Sequence, residues 1–168
     1  TDFIFMQRTP PPVDLLDIAC LAMNPQVHAF DNASLMETLQ AQAAVVHTAR
    51  RLAGGKPVAV GAVTLRPRFN PYASGGATGV IPATPAGELP PQVDERQMSL
   101  FGAGWTMGSL KYLAQAGAFS ATYYETTGWR GVMESEAGSP EPALFHSLPG
   151  AVFPLYHVLA DAGEFVDG

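Results

Sequence analysis

Apolar positions along this chain fall either in short uninterrupted runs or at helical spacing, and Pro and Gly mark most of the changes between the two. Residues 3–6 are an apolar run closed by Thr9 and Pro10 to Pro12, which continue neither ladder nor helix, so they predict a strand. Residues 18–23 predict a second strand, ended by Asn24-Pro25 and followed by the polar pair His28 and Asp31. Ser34, with Glu37 three residues on, reads as a capping box. Leu39, Ala43 and Val46 then recur at helical spacing until Gly54-Gly55. Pro57 is tolerated as the first position of a strand over residues 58–65, and Arg66 and Arg68 follow it.

Residues 67–92 hold six prolines and four glycines, which predicts a long loop. Asp94 can cap a helix that carries Met98, Phe101, Trp105 and Leu113 and stops at Gly117. Gly102, Gly104 and Gly108 weaken that helix by propensity and point to close packing or a broken first part. Residues 120–124, rich in Thr and Tyr, predict a buried strand with Glu125 at its C-terminal end. An irregular stretch then runs to Gly150. Pro154 suits the first turn of a last helix that ends at Asp161 or Ala162, with Gly163 as its stop.

Strands alternating with helices argue for an α/β fold with parallel strands and right-handed crossovers. A complete (β/α)8 TIM barrel takes about 250 residues, so four strands here amount to about four βα units, a partial barrel of one domain over residues 1–168. Such a half sheet needs the remaining half of the barrel or a second chain to cover it. The chain opens on Thr1 directly before an apolar run, which suggests a cut from something longer. Nine Lys and Arg against 15 Asp and Glu give a net charge of −6, wrong for gripping nucleic acid or an anionic membrane. Cys20 is the one cysteine and lies in an apolar run, so the expectation is a buried thiol in a chain compatible with a reducing cytoplasm.

Glu125 is the position around which candidate chemistry gathers. A carboxylate at a strand end is costly near a core unless paired, and in barrels the segments after the strands share one rim. Residues 24–31, 66–68 and 125–130 all follow predicted strands. A structural ion pair with an arginine such as Arg130 is the plainer account of Glu125, and a local loop bond that of His28 and Asp31. His28, Asp31, Glu134 and Glu136 have no recognised ligand spacing, so no metal is expected. Gly102-x-Gly104 lacks the third glycine of a dinucleotide loop, and there is no Gly-x-Ser-x-Gly elbow, so no cofactor is expected either.

Asn24-Pro25-Gln26-Val27-His28-Ala29-Phe30-Asp31, Leu65-Arg66-Pro67-Arg68-Phe69-Asn70-Pro71, residues 123–132 and Phe153-Pro154-Leu155-Tyr156-His157-Val158-Leu159-Ala160-Asp161 resemble the D-apionate lactonase family, in order and over most of the chain. The resemblance implies the second half of a glycosidase-like catalytic barrel that opens the lactone of a branched sugar acid. It also implies that Phe5, Met6 and Gln7 stand where a carboxylate and an Asn are expected. Lactone opening needs a base and oxyanion donors. On that chemistry Glu125 is the base, His28 the acid steered by Asp31, and Arg66 or Arg68 the holder of the oxyanion or product carboxylate. Asn24, Tyr124, Trp129 and Arg130 are the further substrate contacts. The alternatives are a glycoside hydrolase-like barrel fragment and a carbohydrate-binding or structural half-domain. A glycosidase would need a second carboxylate across the sugar, and Glu125 is the one strand-end glutamate this chain offers.

Overall fold

The computed structural model describes residues 2–68 and 84–165, so most of the predicted long loop lies outside the described residues, and residues 84–92 form turns. The chain divides into two compact units: Thr1–Thr64 with Met107–Tyr124, and Leu65–Thr106 with Glu125–Gly168.

The first unit opens on a helix, α1 (Phe3–Arg8), where a strand was expected. Four apolar residues do not distinguish the two, and the decision falls to Asp2, whose carboxylate accepts the Phe5 amide as an N-cap at 2.8 Å. Among the described residues three strands therefore form the sheet of this unit: β1 (Ala19–Met23), β2 (Val58–Val63) and β3 (Ser120–Tyr123), parallel and in that order. Leu21 stands beside Val60, and Val60 beside Ala121. Ala19, Leu21, Met23, Val58 and Val60 are buried. Helix α3 (Ala41–Leu52) packs on β1 and β2 and buries Val46 and Ala49.

Two stretches expected to be buried are exposed. Cys20 is exposed, because β1 alternates strictly and buries only its odd-numbered residues. Ser120, Ala121 and Thr122 are also exposed, although β1 at the other edge of the same sheet buries alternate residues; the Thr- and Tyr-rich run has strand propensity without burial. The helix expected from Ser34 onward is two. Asp31 caps α2 (Asn32–Glu37), and Thr38 ends it before α3 begins. Along α4 (Leu100–Gln115), Ser109 donates to Gln42 Oε1 at 2.6 Å and lies 2.8 Å from the Tyr123 hydroxyl. Burial pushes that hydroxyl up to about 12, against the Ser109 hydrogen bond, so Tyr123 stays protonated across the physiological range.

The second unit is built around Phe145, Phe153, Leu155 and Trp105, all buried, with Phe145 edge-on to Phe153 at 6.0 Å. The stretch expected to be irregular after Glu125 contains two short parallel strands, β4 (Glu125–Thr127) and β5 (Gly131–Met133). Met133 then bridges Val152 just before α5 (Pro154–Gly163), which starts on its proline as the sequence indicates. Glu134 is buried; its carboxylate accepts the Ser135 amide at 2.8 Å and the Ser147 hydroxyl.

Asp94 caps a 3-10 turn, Glu95–Met98, ahead of α4, so the predicted single helix is broken at Ser99, before its glycines, and α4 runs unbroken through Gly102, Gly104 and Gly108. A Cβ on Gly102 would lie 2.5 Å from the carbonyl oxygen of Arg96. Gly102→Ala gains up to about 1 kcal/mol of helix propensity, but overpacking against rigid backbone costs about 1–3 kcal/mol. The expected outcome is a net loss, read as a lower Tm by thermal denaturation; a raised Tm would show that the turn yields freely.

Candidate active site

In the first unit, the three parallel strands send their following residues off the same end of the sheet. The ladder reaches that end, with Thr64 N–H donating to Met23 and Tyr124 N–H to Val63. Asn24 there donates its side-chain amide to the Gln26 carbonyl at 2.8 Å, a bond that shapes its own loop. Asp31 receives the Ser34 amide at 3.0 Å and the Ser34 hydroxyl at 2.7 Å, and these two bonds hold its carboxyl below the ordinary aspartate value. Its two oxygens serve the cap of α2. His28 is exposed three residues earlier. Tyr124 is 5% exposed, with its ring centroid 5.8 Å from that of Tyr123, and has a left-handed backbone (φ 53°). Its placement is that of a packed residue.

Glu125, Trp129, Arg130, Arg66 and Arg68 all belong to the second unit. Glu125 opens β4, and its amide donates to the Arg130 carbonyl at 3.1 Å. The return to β5 is tight: Gly131 N–H donates to Gly128 at 2.7 Å, and a Cβ on Gly131 would meet Thr127 backbone at 2.7 Å. This turn sets Arg130 opposite Glu125 and leaves Trp129 half-buried at its tip. Two guanidinium groups reach the same carboxylate oxygen, Glu125 Oε1: Arg130 Nη2 at 3.2 Å and Arg68 Nη2 at 3.5 Å. The side chains are 34%, 36% and 41% exposed for Glu125, Arg130 and Arg68. Ion pairs this open contribute about 0–1 kcal/mol, so a ligand can enter among them at little cost to the fold.

Arg66 is placed differently. Its Nε donates to Asp94 Oδ2 at 2.9 Å, and Arg96 holds the same carboxylate at 2.8 and 2.7 Å through Nε and Nη2. The Asp94 side chain is 2% exposed. Burial by itself would raise its carboxyl, but the hydrogen bonds from Arg96 and the charges of Arg96 and Arg66 outweigh that and keep it below the ordinary value. Arg66 therefore braces a buried acid, and Arg68 is the arginine that faces Glu125. Asp94 was legible in the sequence only as a cap, and Gln97, buried one turn on, carried no signal at all.

Among the described residues, no three His, Cys, Asp or Glu side chains stand where they could share a metal ion. No helix among them is long and apolar enough to cross a membrane.

The family model described as D-apionate lactonase, TIM barrel domain, matches residues 1–167. A D-apionate lactonase of Brucella anthropi is 38% identical over 72 residues, which are 43% of this chain and 12% of that protein. The match thus spans a small part of the curated relative's length. No solved structure matches the chain significantly.

Proposed function

The chain belongs to the D-apionate lactonase family, within its TIM barrel domain, and from that premise we propose that it contributes the Glu125 site to a barrel that hydrolyses a sugar-acid lactone, D-apionolactone to D-apionate. The observation that carries the reading is the half-open carboxylate of Glu125 beside Arg68 and Arg130. Lactone opening needs those two kinds of group. Water attacks the ester carbonyl carbon while Glu125, through Oε2, takes its proton, and the carbonyl electrons move onto oxygen. Arg130 and Arg68 donate N–H bonds to that oxyanion. Collapse restores the carbonyl and breaks the ring C–O bond, and the protonated Glu125 returns its proton to the departing alkoxide. The carboxylic acid so formed loses its remaining proton to solvent, and the carboxylate then lies against paired guanidinium donors, a geometry that suits planar oxygens. Asp31 is engaged in its helix cap, so the leaving-group proton is assigned to Glu125 rather than to a His28–Asp31 pair. The exposed edge at β3 fits the same reading, because a barrel sheet continues by pairing there, with the remaining half of the barrel or a second chain.

One observation favours a second reading. The Glu125–Arg130 pair is what a structural or carbohydrate-binding segment would also hold. A pH-stat assay of the whole protein that carries this chain separates the two, because opening a lactone releases a proton at neutral pH. Proton release with D-apionolactone and none with aryl glycosides is expected; glycoside cleavage, or binding of the sugar without proton release, would reject the lactonase reading.

A further inference from the structure

The carbonyl of Arg130 accepts the Glu125 amide, so whatever fixes that peptide fixes the approach of the carboxylate to the guanidinium. The carboxamide nitrogen of Gln97 sits behind it. It donates to the Gly131 carbonyl at 2.9 Å and reaches the Arg130 carbonyl at 3.5 Å, and Gln97 is 3% exposed. A buried amide that satisfies a carbonyl of the turn is costly to remove, because the carbonyl is left without a donor. Gln97 is itself held. It lies in the 3-10 turn Glu95–Met98, whose cap, Asp94, accepts the Arg96 amide at 3.0 Å and clamps both Arg66 and Arg96. Gly102 lets the first turn of α4 close onto the Arg96 carbonyl, and the Arg96 guanidinium lies 5.2 Å from the Phe101 ring centroid. Every member of this chain of contacts is in the second unit.

We propose that Gln97 is a positioning residue for the reaction: through the Gly131 and Arg130 carbonyls it sets Glu125 against Arg130, and the Arg66–Asp94–Arg96 cluster holds Gln97 in place. The inference rests on Glu125 being the base, and it extends that reading to a residue that need not touch substrate. Gln97→Met keeps the length and apolar packing of the side chain while removing its donors. Misplacing a reacting group by about 1 Å can cost 10²-fold, so the expected loss in kcat is roughly tenfold to a hundredfold, with KM changed far less. A second readout needs no substrate. The Glu125 amide is bonded to the Arg130 carbonyl, so its hydrogen-exchange protection should fall about tenfold in Gln97→Met while amides in the core of α4 keep theirs.

The variants are made in the whole protein that carries this chain. In a Glu125→Gln background, Gln97→Met should lower kcat no further, since it acts through Glu125. Unchanged exchange at Glu125, or unchanged kcat beside a crippled Glu125→Gln enzyme, overturns the positioning role and leaves the base assignment standing. Unchanged turnover in Glu125→Gln itself overturns both. Should Gln97→Met fail to fold, Asp94→Asn takes its place: it keeps the capping oxygen, weakens the hold on Arg66 and Arg96, and is read by the same kcat and exchange measurements.

Discussion

Replacing Glu125 with Gln in the whole protein lowers kcat for lactone opening by about 10² or more, the range for losing a general base, and leaves the fold unchanged. The carboxamide keeps the shape of the side chain and still offers an oxygen to Arg130 and Arg68, but it cannot take a proton from water. Stability should hardly move, because the pairs lost are exposed ones worth about 0–1 kcal/mol. Steady-state kinetics with D-apionolactone, beside a thermal melt of each variant, make the check. Turnover equal to that of the unaltered enzyme would take the base away from this residue and leave the Glu125 cluster a structural ion pair.

Asp94→Ala is expected to have the largest effect on stability, about 3 kcal/mol or more, because it removes the buried carboxylate that two guanidinium groups only 26% and 16% exposed share, and with it the cap of the 3-10 turn. Asp94→Asn keeps the cap and costs less. The pH dependence follows from the lowered carboxyl. A carboxyl whose folded value lies below its unfolded value adds stability that is present in full above the unfolded range, near 3.8, and is lost as the pH falls through the folded value. Urea unfolding should therefore show a constant gap between the parent and Asp94→Asn from pH 7 down to about 5, closing at lower pH. A gap that widens on acidification would mean that burial, and not the two arginines, governs this group.

How much of this was legible in the chain differs from residue to residue. The parallel α/β class followed from runs and punctuation, and β1, β2 and the proline-led α5 stand where spacing puts them. Four apolar residues at 3–6 did not reveal that Asp2 would cap a helix, since a cap is a single local bond that competes with strand propensity. The burial of β3 was misjudged for a related reason. Propensity reports the backbone, whereas burial depends on what packs over the faces of the strand, and residues 120–122 are exposed.

The candidate site divides in the same way. By itself the sequence determined that Glu125 follows a strand and that Arg66 and Arg68 share a segment, because these are matters of residue order. Only the tertiary structure decided which arginine meets which acid. Arg66 reaches the buried Asp94, and Arg68, two residues on, reaches the half-open Glu125. The same holds for Gln97, 34 residues before the carbonyl it supports. Side-chain hydrogen bonds over such separations leave no periodic trace in a sequence, since they depend on where two distant backbones are brought together.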